Sequence, residues 1–530
     1  MSLLSLFSAG LMALSSAPAD TVPLYDDLGD HHYEITSDVA ATQQYFDQGL
    51  RLVWGFNHAE AIRAFAEAAR LDPDCAMCWW GIAYSYGPNI NAPMDSTSGV
   101  AAWEAIQKAI ARKPHASEKE GAFIDALAQR YAEVPPVERA ALDSAWAGAM
   151  TAVADRFPDD LEAATVAADA RMNLSPWNYW TPEGELRPGH EKTLAMLEGV
   201  IAADSTHPGA CHLYIHAVEA AQPERAVECA ERLAGLMPGA GHIVHMPAHI
   251  YIRVGRYNDA IEANIHAVHT DETYIMDIGP SGIYPAFYYP HNYHFLSFAA
   301  TFAGRADMAI ENARKAAEHM DPDLARQFGP EAGRLIAHPQ LTLMAFGRWE
   351  ETLAEPMPPA DIRFASGLVH YARGVANAAL ERWDDAQVEL DSVRQVATEF
   401  TEDWPSTVMQ VAVHALTADI AYRQGNYDEA ITHYEVAIDL EDSLRYTEPA
   451  YWNRPLRLDL GAALLAAGRA ADAESVYQEN LARFPENGWA LQGLAVALEA
   501  EGKAEDADAV RARFAEAWEE SDVTLTTSRL

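Results

Sequence analysis

The chain has 530 residues, 49% of them hydrophobic and 22% charged, enough for about three or four domains of ordinary size, and this composition excludes a disordered chain. Lys and Arg number 37 against 78 Asp and Glu, a net charge of −41, which argues against nucleic acid or an anionic membrane surface as partner. Four cysteines are too few for a disulfide scaffold, and no apolar run reaches the roughly 18 residues of a membrane span.

Leu3 to Leu14 are apolar and small, and Ser15-Ser16-Ala17-Pro18-Ala19-Asp20 follows. This pattern predicts a secretory signal over 1–19 with cleavage after Ala19, and hence a periplasmic or secreted mature chain. No Lys or Arg precedes the apolar stretch, and an apolar first helix in a cytoplasmic protein is the alternative.

A first repeat-like segment, 20–87, carries Ala61, Phe65, Ala68 and Pro73, then Trp79, Ile82 and Tyr86. Within it Cys75-Ala76-Met77-Cys78 opens the helix that bears Trp79. A thiol pair at a helix start suits redox chemistry, but no βαβ pattern and no second Cys-x-x-Cys accompany it. A local disulfide is favoured, with a metal site or free thiols as alternatives. Residues 88–200 fit the repeat poorly. Ser175 to Pro182 reads as a loop, with Trp177 and Trp180 as candidate pocket walls.

Residues 201–350 carry the histidines. His212 and His216 are four apart; His242, His245 and His249 lie within roughly 60° of one another on a helix; His291 and His294 follow. Such spacings let one helix offer two ligands to one metal ion. Imidazole donors suit copper, zinc, iron or nickel, and spacing does not choose among them. Satisfied core histidines and a metal-free ligand pocket are the alternatives. Tyr284-Pro285-Ala286-Phe287-Tyr288-Tyr289-Pro290 runs into His291 and reads as a rigid loop forming walls or a lid, with ordinary packing as the alternative. His245 and His249 have the two-His spacing of a zinc protease, but Pro247 stands between them and the catalytic Glu is missing. Cys211 and Cys229 fall on two helices of one hairpin and could form a second bridge.

The rest of the chain, 351–530, continues the spacing. Leu460-Gly461 leads to Gly468, Ala473, Tyr477 and Pro485, and 34 residues on Gly468 is matched by Gly502 and Ala473 by Ala507. Gly255 pairs likewise with Ala260, Gly304 with Ala309 and Gly425 with Ala430. This grammar resembles the tetratricopeptide repeat over residues 40 to 515, which implies an all-α solenoid of helical hairpins forming a superhelix with a concave groove. Cys75-x-x-Cys78 followed by Gly87-Pro88-Asn89-Ile90-Asn91 is also similar to a group of bacterial exported tetratricopeptide proteins, a resemblance that implies a fold and no particular activity.

Within the repeat frame, His242, His245 and His249 lie 13, 10 and 6 residues before Gly255, while His291 and His294 lie 13 and 10 before Gly304. The resemblance implies that these positions face the groove. Cys211 takes the same place one unit earlier; His212 and His216 sit one residue round, and Glu219 is near. The expectation is one cavity in which His242, His245, His249, His291 and His294 hold a transition metal, with His212 and His216 as further ligands, for storage, delivery or chemistry on a small molecule. The alternative is a scaffold that binds a peptide or protein segment without metal.

Overall fold

A helix, a tight reversal with one left-handed residue, and a second helix make the unit that recurs along the chain. The computed structural model describes residues 22–280 and 282–530, so the signal read at 1–19 lies outside the described residues. The reversal residue is glycine at Gly255, Gly304, Gly347, Gly425, Gly468 and Gly502, with φ between 67° and 81°. Only glycine adopts that backbone without a Cβ penalty. Two reversals carry a side chain instead: Phe56 (φ 55°), between helices Ala40–Trp54 and His58–Leu71, and Glu381 (φ 57°), between Arg363–Ala379 and Trp383–Ala397.

Close approach between helices follows from small residues facing large ones. Tyr477 is fully buried between Gly461 and Gly493, where an added Cβ would come within 2.4 and 2.3 Å of its ring. Each helix face therefore packs against a complementary neighbour, which is the tetratricopeptide-like logic of an α-solenoid. Among the described residues the β-structure amounts to two isolated bridges, Asn89 with Ala92 and Trp180 with Leu186. No helix of the described residues is long and apolar enough to cross a membrane.

The chain divides into two compact units. The first comprises the described residues up to Val218 together with Glu231–Ile243. Beyond its opening hairpin it holds Ala76–Ser85 and Ser96–Arg112, then Glu118–Leu127, Ala140–Arg156, Leu161–Met172, Glu191–Ala203 and Pro208–Val218. Cys75 and Cys78 are joined by a disulfide at the start of Ala76–Ser85. Ser175 to Pro182 is non-helical, and Trp177 donates its indole N–H to the Ile90 carbonyl at 2.9 Å.

The second unit comprises Glu219–Ala230 and Val244–Leu530. Its hairpins run from Pro247–Arg253 and Tyr257–Ile278 to Gly488–Ala500 and Ala504–Ala517. The segment after Ala517 returns across earlier hairpins. The Asp522 carboxylate accepts from the Ala306 and Asp307 amides at 2.7 and 3.1 Å, capping helix Ala306–Glu318. The Arg529 guanidinium is 8% exposed, pairs with Asp419 and donates to the Tyr434 hydroxyl at 3.1 Å.

One expectation is corrected here. The aromatic stretch before His291 is not a loop: Tyr284–Tyr288 form a π-helical turn that continues directly into helix Tyr289–Phe302. Pro285 and Pro290 look like helix breakers in sequence, but each stands in the first turn of its element, where no N–H is required. Cys211, in the first unit, and Cys229, in the second, are both buried.

Candidate metal centre

In the second unit, His245, which ends helix Gly241–His245, helix Pro247–Arg253 and helix Tyr289–Phe302 bring three imidazoles together. Pro247 restarts the helix after Gly241–His245, and His245 and His249 stay on one face across the break. Their Nε2 atoms are 2.8 Å apart, and Nε2 of His291 lies 3.2 Å from that of His245. His245 and His249 are buried and His291 is partly exposed. Phe295, one turn after His291, packs its ring 4.8 Å from each of the two buried imidazoles.

The far side of each buried ring settles which nitrogen carries the proton. Asn264 donates its amide to the Ala260 carbonyl at 2.7 Å, so its Oδ1 faces His245 Nδ1 at 2.7 Å as an acceptor. The Glu219 carboxylate accepts from His249 Nδ1 at 2.6 Å. Both partners are fully buried. With the Nδ1 protons committed, the Nε2 lone pairs of neutral His245 and His249 point at one another. That arrangement repels unless a proton or a cation sits among them. Imidazole nitrogens on a tetrahedral ion at about 2.0–2.1 Å stand about 3.3 Å apart, close to the spacing found. An outer carboxylate or amide that orients a ligating ring is the usual companion of such a site.

The other histidines of the sequence expectation go elsewhere. His212, His216 and His242 converge in the first unit, each offering one ring nitrogen within 4.8 Å of the others. His294 meets the His338 ring edge-on, with centroids 4.5 Å apart, and His338 Nε2 meets the Ser297 hydroxyl at 2.9 Å. Burial holds His294 and His338 well below the usual imidazole range, the latter at about 3, so both are neutral packing residues. The thiol of Cys211 donates to the Ser205 carbonyl. Trp180 donates to the Ala217 carbonyl at 2.7 Å, and Trp177 meets His216 edge-on with ring centroids 5.0 Å apart.

The tyrosines of the π-turn fasten it to the preceding helix. Tyr284 donates to Asp271 at 3.0 Å, Tyr288 packs on Tyr284, and Tyr289 shares Glu272 with Tyr293. Asp271 also accepts from Asn292, next to His291, at 2.8 Å. Burial pushes its carboxyl up to about 7 even though Tyr284 and Asn292 donate to it. A carboxyl whose folded-state pKa is raised keeps its proton while the unfolded chain has lost it, so between about pH 4 and 7 its contribution falls as pH rises. Asp271→Asn, which does not ionise, should therefore gain in stability relative to the parent between pH 5 and pH 8, by about 2–3 kcal/mol. Parallel urea-unfolding curves for the two proteins across that range would contradict the assignment.

A further histidine group was not singled out as a site by the sequence. Glu162 is buried in the first unit and accepts from Trp54 Nε1 at 3.1 Å, with His31 and His207 Nε2 at 3.1 and 3.3 Å. Burial alone would raise its pKa, yet the His207 and His31 hydrogen bonds hold it down, at about 2. The Ala210 amide donates to His207 Nδ1 at 3.2 Å, which leaves the proton on Nε2. These rings are donors to a buried carboxylate, and the group reads as structural.

No family model matches the chain, and no curated protein matches it in sequence. Solved structures similar to it include a human IFIT1 dimer with m7Gppp-AAAA, at 13% identity over 91% of each chain with a TM-score of 0.34. Yeast Tom70 is similar at 13% identity over 90% of this chain and 91% of that one, with a TM-score of 0.28. The APC/C hetero-tetramer Cut9-Hcn1 is similar at 12% identity over 91% and 74%, with a TM-score of 0.31. At such values the fold rests on the chain's own helices and hairpins.

Proposed function

We propose that the chain is a helical-repeat protein that holds a transition-metal ion on His245, His249 and His291. The observation that carries this reading is the convergence of Nε2 atoms whose rings are fixed from behind by Asn264 and Glu219. Three imidazoles leave a coordination position for water, oxygen or a small molecule, and the partly exposed edge of His291 supplies the approach. Zinc, copper and iron all suit the donors, and an ion there would polarise an oxygen ligand or activate water. Around it, Phe295 keeps bulk water from one side, and Glu219 balances positive charge on His249. Export to an oxidising compartment belongs to the same proposal and is supported by the Cys75–Cys78 disulfide.

Elemental analysis of the full chain, purified without a histidine tag, tests the reading beside a His245→Ala/His249→Ala variant. One equivalent of zinc, copper or iron that the variant lacks is the expected result. Parent and variant taking up equal amounts after reconstitution at modest excess would remove the site and favour a metal-free scaffold that binds a peptide.

A further inference from the structure

We propose that His212, His216 and His242 hold a second transition-metal ion, within the first unit. The proposal extends the reading of convergent imidazoles to a separate donor set and is testable apart from it.

His212 and His216 lie one turn apart on helix Pro208–Val218, and His242 comes from the start of helix Gly241–His245. All three are at most 2% exposed, and each offers a ring nitrogen within 4.8 Å of the others. His212 Nδ1 lies 2.6 Å from the Trp54 carbonyl, which only accepts. Its proton is thereby fixed on Nδ1 and Nε2 is left as a donor to a metal, the same tautomer that Asn264 imposes on His245. Gly209 on that helix admits the Trp54 ring, which an added Cβ would meet at 2.4 Å.

The walls of this group supply an independent observation. Phe56 occupies the reversal position that six other hairpins give to glycine, and it keeps the left-handed backbone at φ 55°. Its ring is 4.4 Å from His212, and it stacks on His242 at 5.4 Å and on His216 at 6.2 Å with only 3° between planes. Trp177, whose ring edge meets His216, is also left-handed, at φ 63°. Such backbone is unfavourable for a residue with a side chain and persists where surrounding structure demands the side chain. Glu381, the other exception among the reversals, is exposed to solvent. Two strained aromatic residues thus enclose three imidazoles, as expected of a dry site for an ion of the zinc or copper class.

Titrating the metal-free full chain with cobalt(II), followed by visible absorption and by tryptophan emission, tests this. The parent should take two equivalents. His212→Ala/His242→Ala and His245→Ala/His249→Ala should take one each, and the quenching of emission at the first-unit group should be lost in Trp177→Phe. If the parent binds one equivalent that only His245→Ala/His249→Ala loses, the second site is overturned while the proposed function stands. One equivalent lost only in His212→Ala/His242→Ala would sustain this site and remove the other. Should His212→Ala/His242→Ala fail to fold, the comparison of parent with Trp177→Phe decides: identical quenching in both overturns the proposal.

Discussion

Glu219→Gln is expected to weaken metal binding at His245, His249 and His291 by about 10–100-fold while leaving the chain folded. The Glu219 carboxylate sits 2.6 Å from His249 Nδ1 and is fully buried. Glutamine retains an oxygen that can accept the same N–H, so the ring keeps its direction and its tautomer. What disappears is the negative charge, which strengthens the Nε2 lone pair and offsets the charge of a bound ion. Competition with a chromophoric chelator measures the effect, and Asn264→Asp provides the opposite perturbation at His245. An unchanged dissociation constant in Glu219→Gln would mean that the carboxylate orients the ring and does nothing more.

The second large effect is on stability. Asp419→Ala should cost about 3–5 kcal/mol in urea unfolding, the usual consequence of removing one partner of a buried ion pair. Asp419 is 4% exposed and is held between two guanidiniums, that of Arg529 and that of Arg423 at 2.8 Å. Burial alone would raise its pKa, yet Arg423 and Arg529 lower it, so it is the charged form that the structure contains. Removing it takes the shared carboxylate from both guanidiniums and leaves Arg529 to Asp459, at 3.4 Å. The same substitution in an Arg529→Met background should cost markedly less, because one of the two guanidiniums has gone. Equal costs in the two backgrounds would show that the pair is not coupled.

The hairpin fold was legible because its signals are local. A glycine at most reversals, usually with an alanine five residues later, recurs whatever the neighbours are, and Gly461 facing Tyr477 is the same small-against-large rule read across a helix pair. The four-residue spacing of His245 and His249 was legible for the same reason. Their outer partners were less so: Glu219 was placed near the cavity without a role and Asn264 was not singled out, for they lie 30 and 19 residues away, on other segments. Helical spacing gives a direction around a helix's own axis and says nothing of which neighbour stands there. His294 shows the limit, since it shares the repeat position of His245 and yet packs on His338. Phe56 was hidden in a different way. In a repeat alignment it looks like a defect in the glycine pattern, and only its ring contacts reveal what the exception provides.

A solenoid of stacked hairpins ordinarily frays from its ends, because each repeat touches only its neighbours. The segment after Ala517 changes that rule for the second unit. Ser521 and Asp522 are tied to the reversal at Gly304, and Arg529 is tied to Asp419, contacts separated by 217, 216 and 110 residues in the chain. Opening the last hairpin therefore also uncaps a helix more than two hundred residues upstream. Amide hydrogens from about residue 300 onward should exchange as one block, with no gradient of protection toward the end. A protease that trims this strap would convert a cooperative body into a string of separately breathing hairpins without cutting a single helix.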